Sequence, residues 1–463
     1  MDRVGLQNHK SGLRDVDKSK ADEIIYNASK NSKYYQNELE KQKKTDERLE
    51  EWKQIISSLD LPEVDIPHLT ERHMTSLDTS RVIMHCDMDY FYCQCHELED
   101  PSLKDIPFAV GGMDMLSTTN YKAREYGIRA GMPGFIGIQL NKDLKMIPLN
   151  FETYKRFSAI FKQVLSEYSD TMQSGGLDEA FIDITDLVEH SPVDQVVHEI
   201  RQEVFNQTGL TCSAGVGVNK LIAKIASDSN KPNGQYLVPF DQASVLEFMS
   251  TLSIKRLFGI GKVSNYLLQG IGIKVCSDVY KMSNYLNNCM TTKQYHHLIA
   301  SSFGLGSNQL DEGWERKSIS AERTFSKLSN KQEILEKLNE ICVELESRIS
   351  KEELTGNNVS IKLKLSNFKV LTRAKQLSRH VSTTEDLYLY ASELLQKEFP
   401  LELRLLGVRL SGLQGEIEET ILDKFLTTVN EKATNICPLC GMELHGLSVQ
   451  INKHLDRCLS RES

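Results

Sequence analysis

No stretch of this 463-residue sequence approaches the roughly 20 consecutive apolar residues of a membrane span. Its opening, MDRVGLQNHKSGLRDVDKSK, lacks the apolar core of a signal peptide, so the chain is expected to stay inside the cell and off the membrane. No GxxxxGK(S/T) run is present, which excludes a P-loop nucleotide enzyme. Net positive charge is also missing. The balance of 55 Lys and Arg against 64 Asp and Glu is −9, so overall charge does not point to a nucleic-acid binder. Clustered cysteine is scarce: ten are scattered except for a late trio, Cys437, Cys440 and Cys458. In a reducing compartment that trio favours a metal over disulfides.

The chain is too long for one ordinary domain, and about three or four units are expected. Residues 17–56 are rich in Lys, Glu, Asn and Gln, with apolar residues at irregular helical spacing. They predict one or two long helices that need a partner surface. After a weaker stretch with Pro62 and Pro67, RVIMHCDMDYFYCQC begins as an apolar strand and ends in acids. MLSTTNYKAREYGIRAGMPG predicts a polar loop, a short helix and a Gly/Pro-rich exit. YKRFSAIFKQVLSEYSD has helix period, AFIDIT strand period, and DQVVHEIRQEVFNQTG is a helix ended by Gly209. Strands mixed with helices, without regular βαβ repetition, argue for an α+β sheet domain. From about 240 to 306 the pattern is helical, and a second α+β unit follows to about 413.

Asp87 ends one predicted strand, and Asp178 and Glu179 begin another. Acids at strand ends are often solvated punctuation. Two such strands side by side could instead hold a pair of divalent ions for phosphoester chemistry. Phe91 and Tyr92 follow the first acid as two core aromatics or as a platform under a sugar. Ser117, Thr118, Tyr121 and Arg124 lie within eight residues and suit a triphosphate, with Lys231 on a tight turn as a further charge. Gly259, Gly261 and Lys262 form a hairpin between helical segments, whose amides can approach phosphates. Lys362 and Lys364 alternate with Ile361, Leu363 and Leu365 in a run, 361–380, that contains no acid. That run is either a solvated face or a basic sheet face for a phosphate backbone. Cys437, Cys440, His454 and Cys458, spaced C-x2-C-x13-H-x3-C, offer four soft ligands for tetrahedral zinc. Such a finger binds DNA or protein; the weakly basic segment VQINKHLDRCL favours protein.

Together, DMDYFY, STTNYKAREYGIRAGMPGF, LDEAFIDIT, SAGVGVNKLIAKIASDSNKPNGQY, GIGK, FGLGS and RKSISAERTF resemble the Y-family of translesion DNA polymerases over nearly the whole chain. The resemblance implies an α+β right-hand polymerase with palm, fingers, thumb and little finger, a helical N-terminal extension and a C-terminal zinc finger. It implies a clasp at 1–78, palm at 79–110 and 149–240, fingers at 111–148 and a thumb at 241–312. A little finger at 318–413, a linker at 414–434 and a ubiquitin-binding-type finger at 435–461 would follow. Two Mg²⁺ would be held by Asp87, Asp178, Glu179 and the Met88 carbonyl, and one Zn²⁺ by the C-terminal finger. Tyr92 would be the steric gate against ribonucleotides. Phe91, Ser117, Thr118, Tyr121, Arg124 and Lys231 would bind the incoming dNTP. Asp89 would be structural. Gly259, Gly261, Lys262, Lys362 and Lys364 would contact primer-template DNA, and Asp456 would contact ubiquitin on a sliding clamp. A monomer acting in the nucleus with low fidelity is implied; a catalytically weak, ubiquitin-recruited scaffold is the alternative.

Two positions depart from the family pattern. His96 stands where relatives usually carry Glu, and Gly176 where they usually carry Ser. Neither is an expected metal ligand. The long palm insertion of some relatives is missing, and ILDKFL is too weak to count as a clamp-binding peptide.

Overall fold

The computed structural model describes residues 12–13, 16–310 and 316–415. The expectations for the linker, for Cys437, Cys440, His454 and Cys458, and for Asp456 lie outside the described residues. The chain divides into two compact units at 314/315.

The first unit is built on a five-stranded sheet. Its order is Met172–Ser174, Glu179–Asp183, Ile83–Met88, Cys212–Gly217, Gln235–Leu237, antiparallel except for the last pair. Period two decides its faces. Met84, Cys86 and Met88 point into a core closed by the helices Phe151–Tyr168 and Val193–Thr208. Phe157, Phe161, Val164 and Leu165 supply that core from the first helix, at helical spacing. Asn150 caps this helix by accepting the Thr153 amide, and the second helix ends at Gly209 with φ 71°, a conformation glycine adopts without strain. Ile83, His85 and Asp87 point to the other face. The helix Lys220–Ser227 covers part of it, and at the end of the strand the Asp87 side chain keeps 20% of its surface exposed.

Beside this stands a three-stranded sheet, ordered Leu116–Thr119, Phe108–Gly111, Lys145–Ile147. The LSTT segment expected as a polar loop is a strand here. Leu116 and Thr119 are buried, and 108–111 offers an apolar partner edge. A helical cluster, 242–302, completes the unit.

The N-terminal extension forms two helices, Lys18–Ser29 and Lys33–Ser58, and they find separate partners. Ala21 and Ile25 of the first pack against Leu116, Ala123 and Ile136 of the three-stranded sheet's region. Leu49 and Trp52 of the second pack into the helical cluster, and Tyr266 donates to Asp46 at 2.8 Å. The stretch around Pro67 hides a third helix, Ile66–Met74. Pro67 sits in its first turn, where a missing N–H costs nothing, and Asp65 caps it.

The second unit is a four-stranded antiparallel sheet, order Val370–Val381, Leu354–Leu365, Leu403–Gly415, Ser318–Leu328, with the helices Lys331–Ser350 and Thr384–Gln396 packed on one face. Ile361 and Leu363 are buried under those helices, so Lys362 and Lys364 take the opposite face as expected. The expectation of an acid-free basic face is corrected in three dimensions. Lys362 pairs with Glu322 of a neighbouring strand at 2.8 Å. Arg373 and Lys375, in register with the buried Ile361 and Val359, lie on the helix-covered face instead, where Arg373, Lys375 and Arg379 pair with Glu398, Glu393 and Asp386. Among the described residues no helix is long and apolar enough to cross a membrane.

Candidate active site

Asp87 and Glu179 face each other in register on adjacent strands, the last residues of the ladder before the sheet opens. The Met88 amide donates to the Asp178 carbonyl at 2.8 Å, which ties the turn bearing the acids to the end of the 83–88 strand. Gly175 makes this possible: its amide donates to the Glu179 carbonyl at 2.9 Å. A Cβ at 175 would lie 2.7 Å from Glu179 Oε1. At Gly176 a Cβ would meet Asp178 Oδ1 at 3.5 Å, an ordinary contact.

Two lysines answer the acids. Lys231 Nζ lies 2.5 Å from Asp87 Oδ1 and 3.3 Å from Asp228, and Lys224 Nζ lies 2.5 Å from Glu179 Oε2. His85, two residues before Asp87 and so on the same face, puts Nε2 3.4 Å from Glu179 Oε2, a long contact without ordinary hydrogen-bond geometry. Its Nδ1 lies 2.8 Å from Ser227 Oγ. Burial holds the His85 pKa down and keeps the ring neutral. The Lys224 ammonium, 2.5 Å away, holds Glu179 below the ordinary carboxylate range, against burial. Burial and then the Asp87 charge push Asp178 up to about 6. Burial also raises Asp87, with Lys231 pulling the other way. Burial opposes the charge on Lys231, but Asp87 and Asp228 outweigh it and hold its pKa above the ordinary lysine value.

The arrangement suits a cation. One ligand atom from each of His85, Asp87 and Glu179 fits within a mutual 4.8 Å, and the acids already gather two ammonium groups. Of these donors the two carboxylate oxygens are the ones that suit a divalent ion of the magnesium kind. Asp178 lies outside that trio but shares its field through Asp87.

Asp89 is buried away from this cluster. It accepts from Ser213 Oγ at 2.6 Å, Thr211 Oγ1 at 2.9 Å and the Asn233 amide at 2.7 Å. Arg201 grips the same turn through Asn233 Oδ1 at 2.6 Å and Gln235 Oε1 at 3.0 Å. Together they fix the turn that delivers Lys231.

Tyr121 and Arg124 share the short helix Tyr121–Arg124, with the guanidinium 4.5 Å over the Tyr121 ring. Tyr121 meets Tyr90 edge to face at 5.1 Å, which brings this helix to the end of the 83–88 strand. Ser117 and Thr118 lie half-buried on the preceding strand. Tyr92 is half-buried and stacked on Tyr154. Phe91 is only 2% exposed, and its side chain belongs to the core behind the sheet. Gly259, with φ 87°, and Gly261, which precedes the helix Lys262–Gly270, form the expected hairpin, next to Phe258 at 71% exposure. His85, Lys224 and Tyr154 escape a reading by motif. His85 alone carries a sequence signal, its place two residues before an acid on a strand.

Residues 86–228 match the impB/mucB/samB family, and residues 316–422 match the C-terminal domain of that family. DNA polymerase kappa of Arabidopsis thaliana is 37% identical over 89% of this chain, which spans 63% of that relative's length. DNA polymerase kappa of Caenorhabditis elegans is 32% identical over 98% of this chain and 90% of its own. Among solved structures, a Y-family DNA polymerase chimera, Dbh-Dpo4(243-245)-Dbh, superposes with a TM-score of 0.66 at 25% identity, over 72% of this chain and 99% of its own.

Proposed function

This chain belongs to the impB/mucB/samB family, the Y-family of polymerases, and on that premise we propose that it is a template-directed, low-fidelity DNA polymerase that works across damaged template bases. The observation that carries the reading is the register of Asp87 against Glu179, with Asp178 beside them and Lys231 poised at Asp87.

In this reading the five-stranded sheet is the palm, the three-stranded sheet with the 121–124 helix the fingers, the helical cluster the thumb, and the second unit the little finger. Asp87, Asp178, Glu179 and the Met88 carbonyl would hold two Mg²⁺. When bound, the ions supply Lewis-acid activation of a primer 3′-hydroxyl and charge relief on the leaving pyrophosphate. The chain's own groups do the rest. Ser117, Thr118, Tyr121 and Arg124 bind the triphosphate through hydroxyls and a guanidinium. Lys231, which sits at Asp87, would add its positive charge to the hold on the triphosphate. Tyr92 closes the space a ribose 2′-hydroxyl would need. The 259–262 hairpin and the Lys362–Lys364 face hold duplex backbone. The Lys18–Ser58 helices serve as the clasp.

The Cys437, Cys440, His454 and Cys458 spacing supports one Zn²⁺. In this reading Asp456 is the ubiquitin contact of that finger, which would recruit the enzyme to a modified clamp in the nucleus. The inactive-scaffold alternative is less favoured, because a scaffold needs neither the carboxylate register nor its paired lysines. Primer extension on undamaged and minor-groove-adducted templates tests the reading. Extension on both supports it, and none on either contradicts it.

A further inference from the structure

Tyr92 and Tyr154 stack with ring centroids 4.0 Å apart and planes 10° apart. Phe151 meets both rings edge to face, at 6.1 and 5.8 Å. A stack of this kind sets the separation of two rings but holds their lateral offset weakly. A gate that acts by collision needs the offset as well, since a small slide opens room for a hydroxyl. Something must therefore hold Tyr154 sideways.

Tyr154 has no exposed surface, so its hydroxyl needs a partner within the protein. That partner is His96, whose Nε2 lies 2.8 Å from the Tyr154 oxygen. The His96 ring stands nearly perpendicular to that of Tyr154, at 84°. Burial lowers the His96 pKa, so a neutral ring sits there. On its far side His96 Nδ1 is 3.8 Å from Glu99 Oε2, and Thr153 Oγ1 donates to Glu99 Oε1 at 3.2 Å. Two side-chain pairs, His96–Tyr154 and Glu99–Thr153, thus latch the helix Phe91–Glu99, which carries Tyr92, to the helix Phe151–Tyr168. A hydrogen bond is directional where a stack is not.

We propose that His96 is a positioning residue for sugar selection: through the Tyr154 hydroxyl it fixes the lateral position of the ring on which Tyr92 rests. The inference rests on the reading of Tyr92 as the gate. His96 touches neither nucleotide nor metal in this account and acts through Tyr154.

Single-nucleotide insertion by the full chain tests it, with dCTP and rCTP opposite template G. The variants are Tyr92→Ala, His96→Ala, His96→Gln, Tyr154→Phe and the double His96→Ala/Tyr154→Phe. The readout is the ratio of kcat/KM for dCTP to that for rCTP. A merely structural defect lowers both values and leaves the ratio alone. His96→Ala and Tyr154→Phe should each lower the ratio by about 3- to 10-fold, the scale expected when one buried hydrogen bond is lost. The double variant should fall no further than either single, because both remove the same bond. His96→Gln, whose amide can take the Nε2 place, should recover most of the loss. Tyr154→Phe keeps the ring and its packing, so it decides the question even if His96→Ala does not fold. A ratio unchanged in Tyr154→Phe, with a collapsed ratio in Tyr92→Ala, overturns the role of His96 and leaves the gate standing. A ratio unchanged in Tyr92→Ala overturns the gate itself.

Discussion

Lys231 and Asp87, 144 positions apart in sequence, meet with Nζ and Oδ1 separated by 2.5 Å at the mouth of the five-stranded sheet. Three carboxylates crowd that mouth, and like charges so placed raise one another's pKa. Lys231 supplies the positive charge that opposes the effect of burial on Asp87.

Lys231→Gln should therefore destabilise the protein in EDTA by about 1–3 kcal/mol, less than for a fully buried pair because both groups are partly exposed. Added Mg²⁺ should return much of the loss. Thermal unfolding with and without Mg²⁺ measures both. Equal melting temperatures for variant and wild type in EDTA would rule out the charge-balancing role.

Asp89 should act on nucleotide binding without touching a nucleotide. Its carboxylate holds the Asn233 amide, two residues past Lys231. Asp89→Asn keeps the size and loses the charge and part of the accepting capacity. The expected outcome is a rise in KM for dNTP of about tenfold, with a smaller change in kcat. A kcat effect with KM unchanged would place Asp89 in another role.

Glu97 gives a pH-dependent prediction away from the ion site. It is buried on the helix Phe91–Glu99 and accepts from the Tyr90 hydroxyl at 2.9 Å. Burial raises its pKa, with the Tyr90 hydrogen bond opposing. The folded protein then binds this proton more tightly than the unfolded chain does. Its contribution is most favourable below the unfolded pKa and is lost as pH rises through the folded one. Glu97→Gln, neutral throughout, should flatten this part of the stability profile and gain relative to wild type above that window. Denaturant melts at pH 4 and pH 8 compare them, and a wild-type advantage that grows with pH would refute the assignment.

Much of the site is legible in sequence because its parts obey short-range rules. RVIMHC declares a strand by its apolar run and AFIDI by alternation, so acids at their ends meet at one edge of a sheet when the two strands pair. Tyr121 and Arg124, three apart, must share a helix face. What stays hidden is long-range. Lys224 is an ordinary lysine on an amphipathic helix until the 220–227 helix lands on the sheet beside Glu179. Tyr154 is one aromatic among several until it stacks on Tyr92. The run 361–380 contains no acid, yet Glu322, Glu393 and Glu398 arrive from other elements. Gly176, which departs from the family's usual Ser, has room for a side chain at ordinary distance from Asp178, so space does not account for the glycine.

The central claim is that Asp87, Asp178 and Glu179 hold the ions that make this sheet a polymerase. Primer extension with Mg²⁺ by the Asp178→Ala/Glu179→Ala double variant tests it most directly, once near-wild-type folding is established by circular dichroism. The account predicts loss of extension by at least about 10³-fold while primer-template DNA is still bound. Extension that survives in the double variant would contradict it.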